Sequence, residues 1–174
     1  GSRHGLFLGW AVRAYYFRGE HSQAKTYYGR LQELVKKEPE QAPVPLPPGT
    51  RLEDFILASL VSADSLRLPA QALPVIEKLL LKTINEGYAA GQKATAGQYL
   101  EMAKKIHAAC LAALGDQAVE PPLPPFEELL DGVFTGYLLN SDGNSPPPWM
   151  RAKTWSFSPR LLQARVYDRV RPPL

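Results

Sequence analysis

The chain has 174 residues, of which 45% are hydrophobic and 21% charged, a composition typical of a globular protein and not of a disordered or fibrous one. Its one cysteine, Cys110, excludes an intramolecular disulfide and a multi-cysteine zinc site, and no apolar run is long enough for a transmembrane helix. The formal net charge of +3 is modest, but the basic residues are concentrated near the end of the sequence.

Proline divides the chain into segments. Fifteen of the 17 prolines fall within residues 39–48, residues 121–125 and the segment from Pro146 onward. Because proline fixes φ, lacks an amide donor and disfavours a helical conformation in the residue before it, each cluster predicts the end of regular structure. Sustained alternation of polar and apolar residues is nearly absent between the clusters, so we predict an all-α protein.

Six helices are predicted in chain order. They cover about residues 5–17, 22–37, 52–65, 74–86, 95–114 and 125–138. Ser22, Thr50 and Thr95 are the expected N-caps, because short polar side chains can accept hydrogen bonds from the first amides of a helix. Gly19 is expected to provide the turn after the first helix, and Gly115 to end the fifth.

The first two predicted helices carry the most informative pattern. Residues 8–38 contain small, aromatic and other apolar residues at the positions that a pair of antiparallel helices and their turn would need, namely Ala14, Tyr15, Tyr16, Gly19, Ala24, Tyr27, Tyr28 and Leu34. Residues 8–38 therefore resemble a tetratricopeptide repeat, a helix–turn–helix unit in which a small residue allows the close crossing. Leu8, Val12 and Leu31 depart from the family pattern, and the closing proline, Pro39, comes three residues late.

A weaker match recurs within residues 80–108. Its members are Tyr88, Gly91, Ala96, Tyr99, Leu100 and Ala103. The resemblance implies antiparallel helical hairpins stacked as a short tetratricopeptide-like array over residues 1–138, with six helices supplying the three hairpins that such an array needs. Two alternatives stay open: an unrelated helical bundle, and a different pairing of the third and fourth helices across the turn at residues 66–69.

Residues 139–174 are predicted to form an extended, Pro/Arg-rich C-terminal tail. The part from residue 151 onward carries six basic side chains against Asp168 alone, and Ser158 and Pro159 are expected to form a helix start that leads into a short amphipathic turn or two. Large aromatic side chains in an irregular segment are expected to dock on the body or on a partner. The docking candidates are Trp149, Trp155, Phe157, Arg160, Arg165 and Arg169.

Residues that could carry chemistry are explained better by packing. His4, His21 and His107 have no second ligand at metal spacing, and Cys110 lies on an apolar helix stripe. Glu127, Glu128 and Asp131 are typical of an acidic helix start, where they face the positive end of the dipole. Since no nucleophile elbow, phosphate-binding loop or zinc motif is present, we expect a non-enzyme without cofactor or metal.

The sequence therefore predicts a non-catalytic adaptor or scaffold subunit that binds protein partners. First helices of stacked hairpins line a groove, and the groove candidates are Arg13, Tyr16, Arg18, Tyr27 and Arg30. The alternative is an RNA-contacting subunit of a ribonucleoprotein, possible through the Arg/aromatic tail but not favoured. A helical enzyme with an unrecognised site is a third hypothesis. One cysteine and no visible signal peptide favour a reducing, intracellular compartment, cytoplasm or organelle lumen.

Overall fold

The computed structural model describes residues 3–61, 68–116, 122–139 and 146–171, and within these ranges it contains helices and no strand. The helices are α1 (Arg3–Phe17), α2 (His21–Lys37), α3 (Leu52–Val61), α4 (Pro69–Lys82), α5 (Lys93–Leu114), α6 (Phe126–Leu139), α7 (Pro148–Phe157) and α8 (Arg160–Val170). A 3-10 turn, Pro39–Gln41, follows α2, and a π-helical segment, Thr83–Tyr88, continues α4. The all-α prediction is confirmed.

The chain divides into two compact units, Gly1–Asp64 and Ser65–Leu174. The N-terminal unit contains α1 to α3, and the C-terminal unit contains α4 to α8. The predicted division after residue 138, which separates a body from a tail, concerns another boundary and stays a prediction. Each unit is described below by itself.

α1 and α2 form the main hairpin of the N-terminal unit. α1 ends at Phe17, and the Gly19 amide donates to the Tyr16 carbonyl at 3.0 Å while Gly19 adopts a φ of 79°. This positive φ is the conformation that glycine adopts without strain, so the predicted turn is confirmed. Ala24 is fully buried in α2, as expected of a small residue at a close helix crossing.

The proline-rich segment after α2 packs back onto α1. Gly5 and Gly9, one turn apart on α1, face the backbone of Gln41 and the ring of Pro43, and a Cβ at Gly5 would overlap the Gln41 carbonyl oxygen. The Tyr28 hydroxyl donates to the Thr50 carbonyl at 2.7 Å. Glycine on α1 and a tyrosine on α2 thus hold an irregular segment against the hairpin.

α4 and α5 form the hairpin of the C-terminal unit, joined through the π-helical segment. Gly87 of this segment lies so close to Ala96 of α5 that a Cβ on Gly87 would overlap it. Glu86 accepts hydrogen bonds from the Lys82 ammonium at 2.6 Å and from the Tyr99 hydroxyl at 2.5 Å. The hairpin therefore combines a close backbone approach with a charged hydrogen-bond network.

Residues 148–157 and 160–170 are helical, which corrects the predicted extended tail. Pro148 is the first residue of α7, and Pro159 directly precedes α8. A proline at either position removes no helical hydrogen bond, so both prolines begin helices. Ser158 before Pro159 is extended, with a ψ of 154°, and this separates α7 from α8. α8 packs against α6, and α7 packs against the π-helical segment.

Several predicted helix starts are displaced by one or more residues. α4 begins at Pro69 and not at Pro74, which lies inside the helix; Pro74 and Ala70 are both exposed, so water can bond the Ala70 carbonyl that lacks a helical donor. The predicted caps Ser22 and Thr95 lie inside α2 and α5, whose caps have no side-chain hydrogen bond. Thr50 lies two residues before α3 begins, and its hydroxyl donates to the Pro47 carbonyl and not to an acceptor of the helix. The predicted end of the third helix at residue 65 lies outside the described residues.

Candidate functional site

One side of α1 exposes large apolar side chains. Leu6, Phe7 and Trp10 are 55%, 56% and 58% exposed. They lie on the side of α1 opposite Leu8 and Val12, which are buried in the unit. We call Leu6, Phe7 and Trp10 the α1 patch. A cluster of exposed large apolar side chains on one helix side is typical of a protein–protein contact.

A small cavity of 230 Å³ adjoins the α1 patch. Its lining consists of Leu6, Gly9, Trp10, Arg13, Pro43, Val44, Phe55 and Ser59. Arg13 is half-buried, and its guanidinium donates to the Ser59 carbonyl at 3.5 Å. The arginine predicted for a groove therefore lies beside the patch and is partly engaged within the unit.

The other groove candidates divide between the interior and the surface. Tyr16 is 2% exposed and packs edge-on against His21, so it belongs to the interior of the hairpin. Tyr27 stacks on Tyr15 with ring centroids 5.1 Å apart, and the Arg30 guanidinium lies 5.2 Å from the Tyr27 ring centroid. The hydrogen bond with Tyr27 raises the pKa of Tyr15. Tyr27 and Arg30 thus form one aromatic–cation stack on the hairpin surface, and Arg18 is exposed near the turn.

A larger cleft, of about 710 Å³, lies in the C-terminal unit between the start of α5 and the junction of α7 and α8. We call it the α5–α8 cleft. It is lined by Tyr88, Lys93, Ala96, Gly97, Leu100, Trp155, Ser156, Phe157, Ser158, Pro159, Arg160 and Gln163. Its volume lies within the range of pockets that bind small molecules or peptide side chains.

Aromatic packing holds the apolar wall of this cleft in place. Trp155 stacks on the buried Phe134 ring at 6.2 Å, and Tyr88 meets the same ring edge-on at 6.4 Å. Burial raises the pKa of the Tyr88 hydroxyl. Gln163 of α8 donates to the Trp155 carbonyl at 2.6 Å and to the Ser158 carbonyl at 3.1 Å, which fixes the junction of the two helices.

The polar wall of the cleft is positively charged. Lys93 and Arg160 are the first residues of α5 and α8, and the Lys93 ammonium lies 5.8 Å from the Phe157 ring centroid. The described residues that line the cleft include no acidic side chain. The cleft therefore offers aromatic surface and positive charge together.

The structure separates the six tail-docking candidates. Trp155, Phe157 and Arg160 line the α5–α8 cleft. Arg165 donates from Nε to both carboxylate oxygens of Asp131, at 2.9 and 3.0 Å, and this hydrogen bonding raises the pKa of Arg165. The remaining two, Trp149 and Arg169, are exposed. Asp131 of the expected acidic helix start is thus a partner of α8.

Potentially reactive groups are packed in the interior of the C-terminal unit. The His107 Nε2 lies 2.8 Å from the Pro124 carbonyl, and its ring meets Phe126 edge-on. Cys110 is 1% exposed, and burial raises the pKa of its thiol. Across the described ranges no three His, Cys, Asp or Glu side chains form a group that could hold a metal ion. Nor do those ranges contain a helix with the length and hydropathy needed to cross a membrane.

Comparison with protein-family models, with curated proteins and with solved structures finds no match. The resemblance to tetratricopeptide repeats therefore stays a prediction.

The α1 patch and Lys93 were not among the residues predicted from the sequence. Leu6, Phe7 and Trp10 belong to a run of eight residues, 5–12, in which every residue is apolar or glycine, and a helix with such a run has more apolar surface than one buried face needs. That excess was the available signal for the patch. The position of Lys93 at the cleft depends on α7, which was not predicted, and on α8, which was expected only as a short amphipathic turn or two.

Proposed function

We propose that the chain is a non-catalytic adaptor that binds a protein partner through the α1 patch. The exposure of Leu6, Phe7 and Trp10 is the observation that carries the proposal. Exposed aromatic and aliphatic side chains bind a partner strongly once a complementary apolar surface removes them from water. The cavity beside them, with Arg13 at its rim, can receive a side chain of that partner.

The paired helices support the same proposal. α1 packs on α2 and α4 packs on α5, and α2 and α5 each carry a buried alanine, Ala24 or Ala96, a small residue of the kind that tetratricopeptide hairpins use. We propose that both are tetratricopeptide-like hairpins, a class of helical unit that presents surface to other proteins. The first helix of such a unit is the one that lines the binding groove, and α1 is the helix that carries the patch.

The alternative of RNA binding through the C-terminal segment has less support. Arg165 is paired with Asp131, and the Arg151 guanidinium donates to the Leu138 carbonyl at 3.0 Å. Two of the basic side chains counted in favour of RNA are thus engaged within the unit. Since affinity for RNA depends on neutralising several phosphates, the remaining cations support a weaker interaction.

The test compares partner recovery by three forms of the chain. Phe7→Glu/Trp10→Glu places charge in the α1 patch, and we expect the recovery of specific partners to fall about tenfold, because interfacial aromatic side chains dominate binding energy. Quantitative mass spectrometry after affinity capture measures the recovery. Leu81→Glu/Leu111→Glu is the matched control, since it introduces the same charge at two exposed apolar residues of the C-terminal unit that line neither candidate site.

The control is expected to recover the same partners as the wild type. Equal partner recovery by the patch variant and the wild type would contradict the proposal. Circular dichroism of all three forms checks that their helices are retained.

A further inference from the structure

We propose that the α5–α8 cleft binds an acidic peptide segment of a partner protein, with an apolar side chain of that segment against Trp155 and Phe157. The site goes beyond the proposed function at the α1 patch, because it lies in the other unit and takes a ligand of different chemistry. Failure of either proposal leaves the other standing.

The α5–α8 cleft carries positive charge that no acidic side chain among its described lining residues compensates. Within the described residues neither Lys93 nor Arg160 forms an ion pair, and no acidic side chain lines the cleft. Neither α5 nor α8 has an acidic residue in its first turn, so the positive helix ends add to the same sign. Two uncompensated cations at the mouth of a cavity attract carboxylates and repel basic segments.

The apolar wall of the cleft, formed by Trp155 and Phe157, is already ordered without a ligand. Trp155 is held by its stack on Phe134, and its carbonyl accepts from Gln163. Phe157 lies against Gly91, where a Cβ would come within 3.3 Å of the ring. A wall ordered before binding costs little conformational entropy when a ligand docks, so an apolar anchor gains most of its burial energy.

The two serine hydroxyls of the cleft already donate hydrogen bonds within the unit. The hydroxyls of Ser156 and Ser158 donate to the carbonyls of Lys153 and Trp155, at 2.9 and 2.7 Å. Both donors are thus used within the unit. The Lys93 ammonium and the Arg160 guanidinium are the charged groups of the cleft that can recognise a ligand, and both bind carboxylates.

An acidic peptide fits these features better than RNA. Strong RNA binding requires a track of cations along several phosphates, whereas the cleft supplies two. Two cations beside an aromatic pocket suffice for one or two carboxylates next to an apolar anchor. RNA is therefore an outcome of the test and not the proposal.

The test selects ligands from a display library of random short peptides on the immobilised full chain. We expect selected peptides to be enriched in Asp and Glu and to contain an apolar residue. A selected peptide carrying fluorescein is then titrated by fluorescence anisotropy. We expect Lys93→Glu/Arg160→Glu to weaken its binding at least about tenfold, because like charges then face each other across the contact.

The matched control is Lys105→Glu/Arg169→Glu. It makes the same change of net charge on α5 and α8, but at exposed residues outside the cleft, so binding should stay close to that of the wild type. Lys93→Gln/Arg160→Gln removes the cations without adding charge and should give an intermediate loss. Circular dichroism confirms folding, and this second variant carries the test if the first does not fold.

Trp155 supplies an independent signal. In a Trp10→Phe/Trp149→Phe background it is the one tryptophan left in the chain, so its emission should change on titration with the selected peptide. Selected peptides without acidic enrichment, unchanged binding after charge reversal, or unchanged Trp155 emission would each overturn the proposal. Cleft-dependent retention of a fluorescein-labelled oligouridine without retention of acidic peptides would also overturn it.

Discussion

The two units hold their helices together by different side-chain interactions. In the N-terminal unit, the long-range bonds described for Arg13 and Tyr28 both end on backbone carbonyls, and the close contacts of α1 are made by Gly5 and Gly9. In the C-terminal unit, the carboxylates of Asp131 and Glu86 receive donors from other helices. Its structure therefore depends more on charge.

The exposed surfaces of the two units also differ in charge. The N-terminal unit presents the apolar α1 patch, whereas the C-terminal unit presents a cleft with Lys93 and Arg160 at its wall. Binding at the patch should respond weakly to salt, because apolar burial is not screened by ions. Binding at the cleft should weaken as the ionic strength rises. A change of ionic strength should therefore distinguish a partner bound at the α1 patch from a partner bound at the cleft.

The largest effect is expected for Asp131→Asn. The carboxylate is buried and is the partner of Arg165, so its loss leaves a partly desolvated guanidinium without its acceptor. Because the Arg165 guanidinium is itself partly exposed, the loss is smaller than for a fully buried pair, and we expect the free energy of unfolding of the C-terminal unit to fall by about 2–3 kcal/mol. Amide hydrogen exchange of α6 and α8 in the full chain measures the change.

Glu33→Gln is the control for this prediction in the N-terminal unit. It removes the exposed partner of Lys36 within α2, and no change in the protection of α2 is expected, because exposed ion pairs contribute little. Unchanged exchange of α6 and α8 in Asp131→Asn would show that charge does not distinguish the two units.

A smaller effect is expected where both units should behave alike. Gly5→Ala and Gly87→Ala each force a Cβ into a neighbouring element, Gln41 or Ala96, and should lower the free energy of unfolding by about 2 kcal/mol. Gly29→Ala and Gly97→Ala are the controls. Each has open space at the Cβ position and should gain about 0.5–1 kcal/mol of helix propensity.

Urea unfolding of the four glycine variants measures these changes. A gain in stability for Gly5→Ala would mean that the proline-rich segment yields to α1. The packing argument for the N-terminal unit would then be wrong, while the C-terminal pair would still test the argument there.

The smallest effect is expected at alkaline pH. Burial raises the pKa of Tyr28 and of Tyr88 above the ordinary value of 10.0, and that of Cys110 above 9.0. A raised pKa means that the folded state favours the neutral form. The stability from each group is therefore present below its ordinary pKa and is lost as the pH rises through its folded pKa.

The C-terminal unit should accordingly begin to weaken at a lower pH than the N-terminal unit, because it contains Cys110. In a Trp10→Phe variant the tryptophans that remain, Trp149 and Trp155, both lie in the C-terminal unit, so their emission in urea follows it as the pH rises. Cys110→Ala should move the onset of its loss towards the pH at which tyrosine ionises. An unchanged onset would show that the thiol does not contribute.

Local patterns in the sequence predicted the helices better than the contacts between them. The buried Ala24 and the positive φ of Gly19 follow from residues next to each other in one hairpin. The pair of Asp131 with Arg165 joins residues 34 apart, and no local spacing encodes it. The α5–α8 cleft could not be predicted from local sequence patterns for the same reason, since its walls come from separate helices.

Proline explains the main error of the sequence analysis. The proline cluster from Pro146 onward was expected to end regular structure, but Pro148 is the first residue of α7, and Pro159, expected to start only a short amphipathic turn or two, directly precedes α8. The same residue serves either role, because a missing amide costs nothing in the first turn. Capping failed for a related reason: a cap must lie one residue before the first helical turn, and Ser22 and Thr95 lie within helices that begin earlier.

The buried thiol of Cys110 makes the chain its own reporter of transient opening. It is the one cysteine in the sequence, and it sits inside α5 with 1% of its surface exposed. A thiol-specific dye reaches it when α5 parts from its neighbours, so the labelling rate counts those excursions without any engineered probe. A ligand bound in the α5–α8 cleft should lower the labelling rate of Cys110.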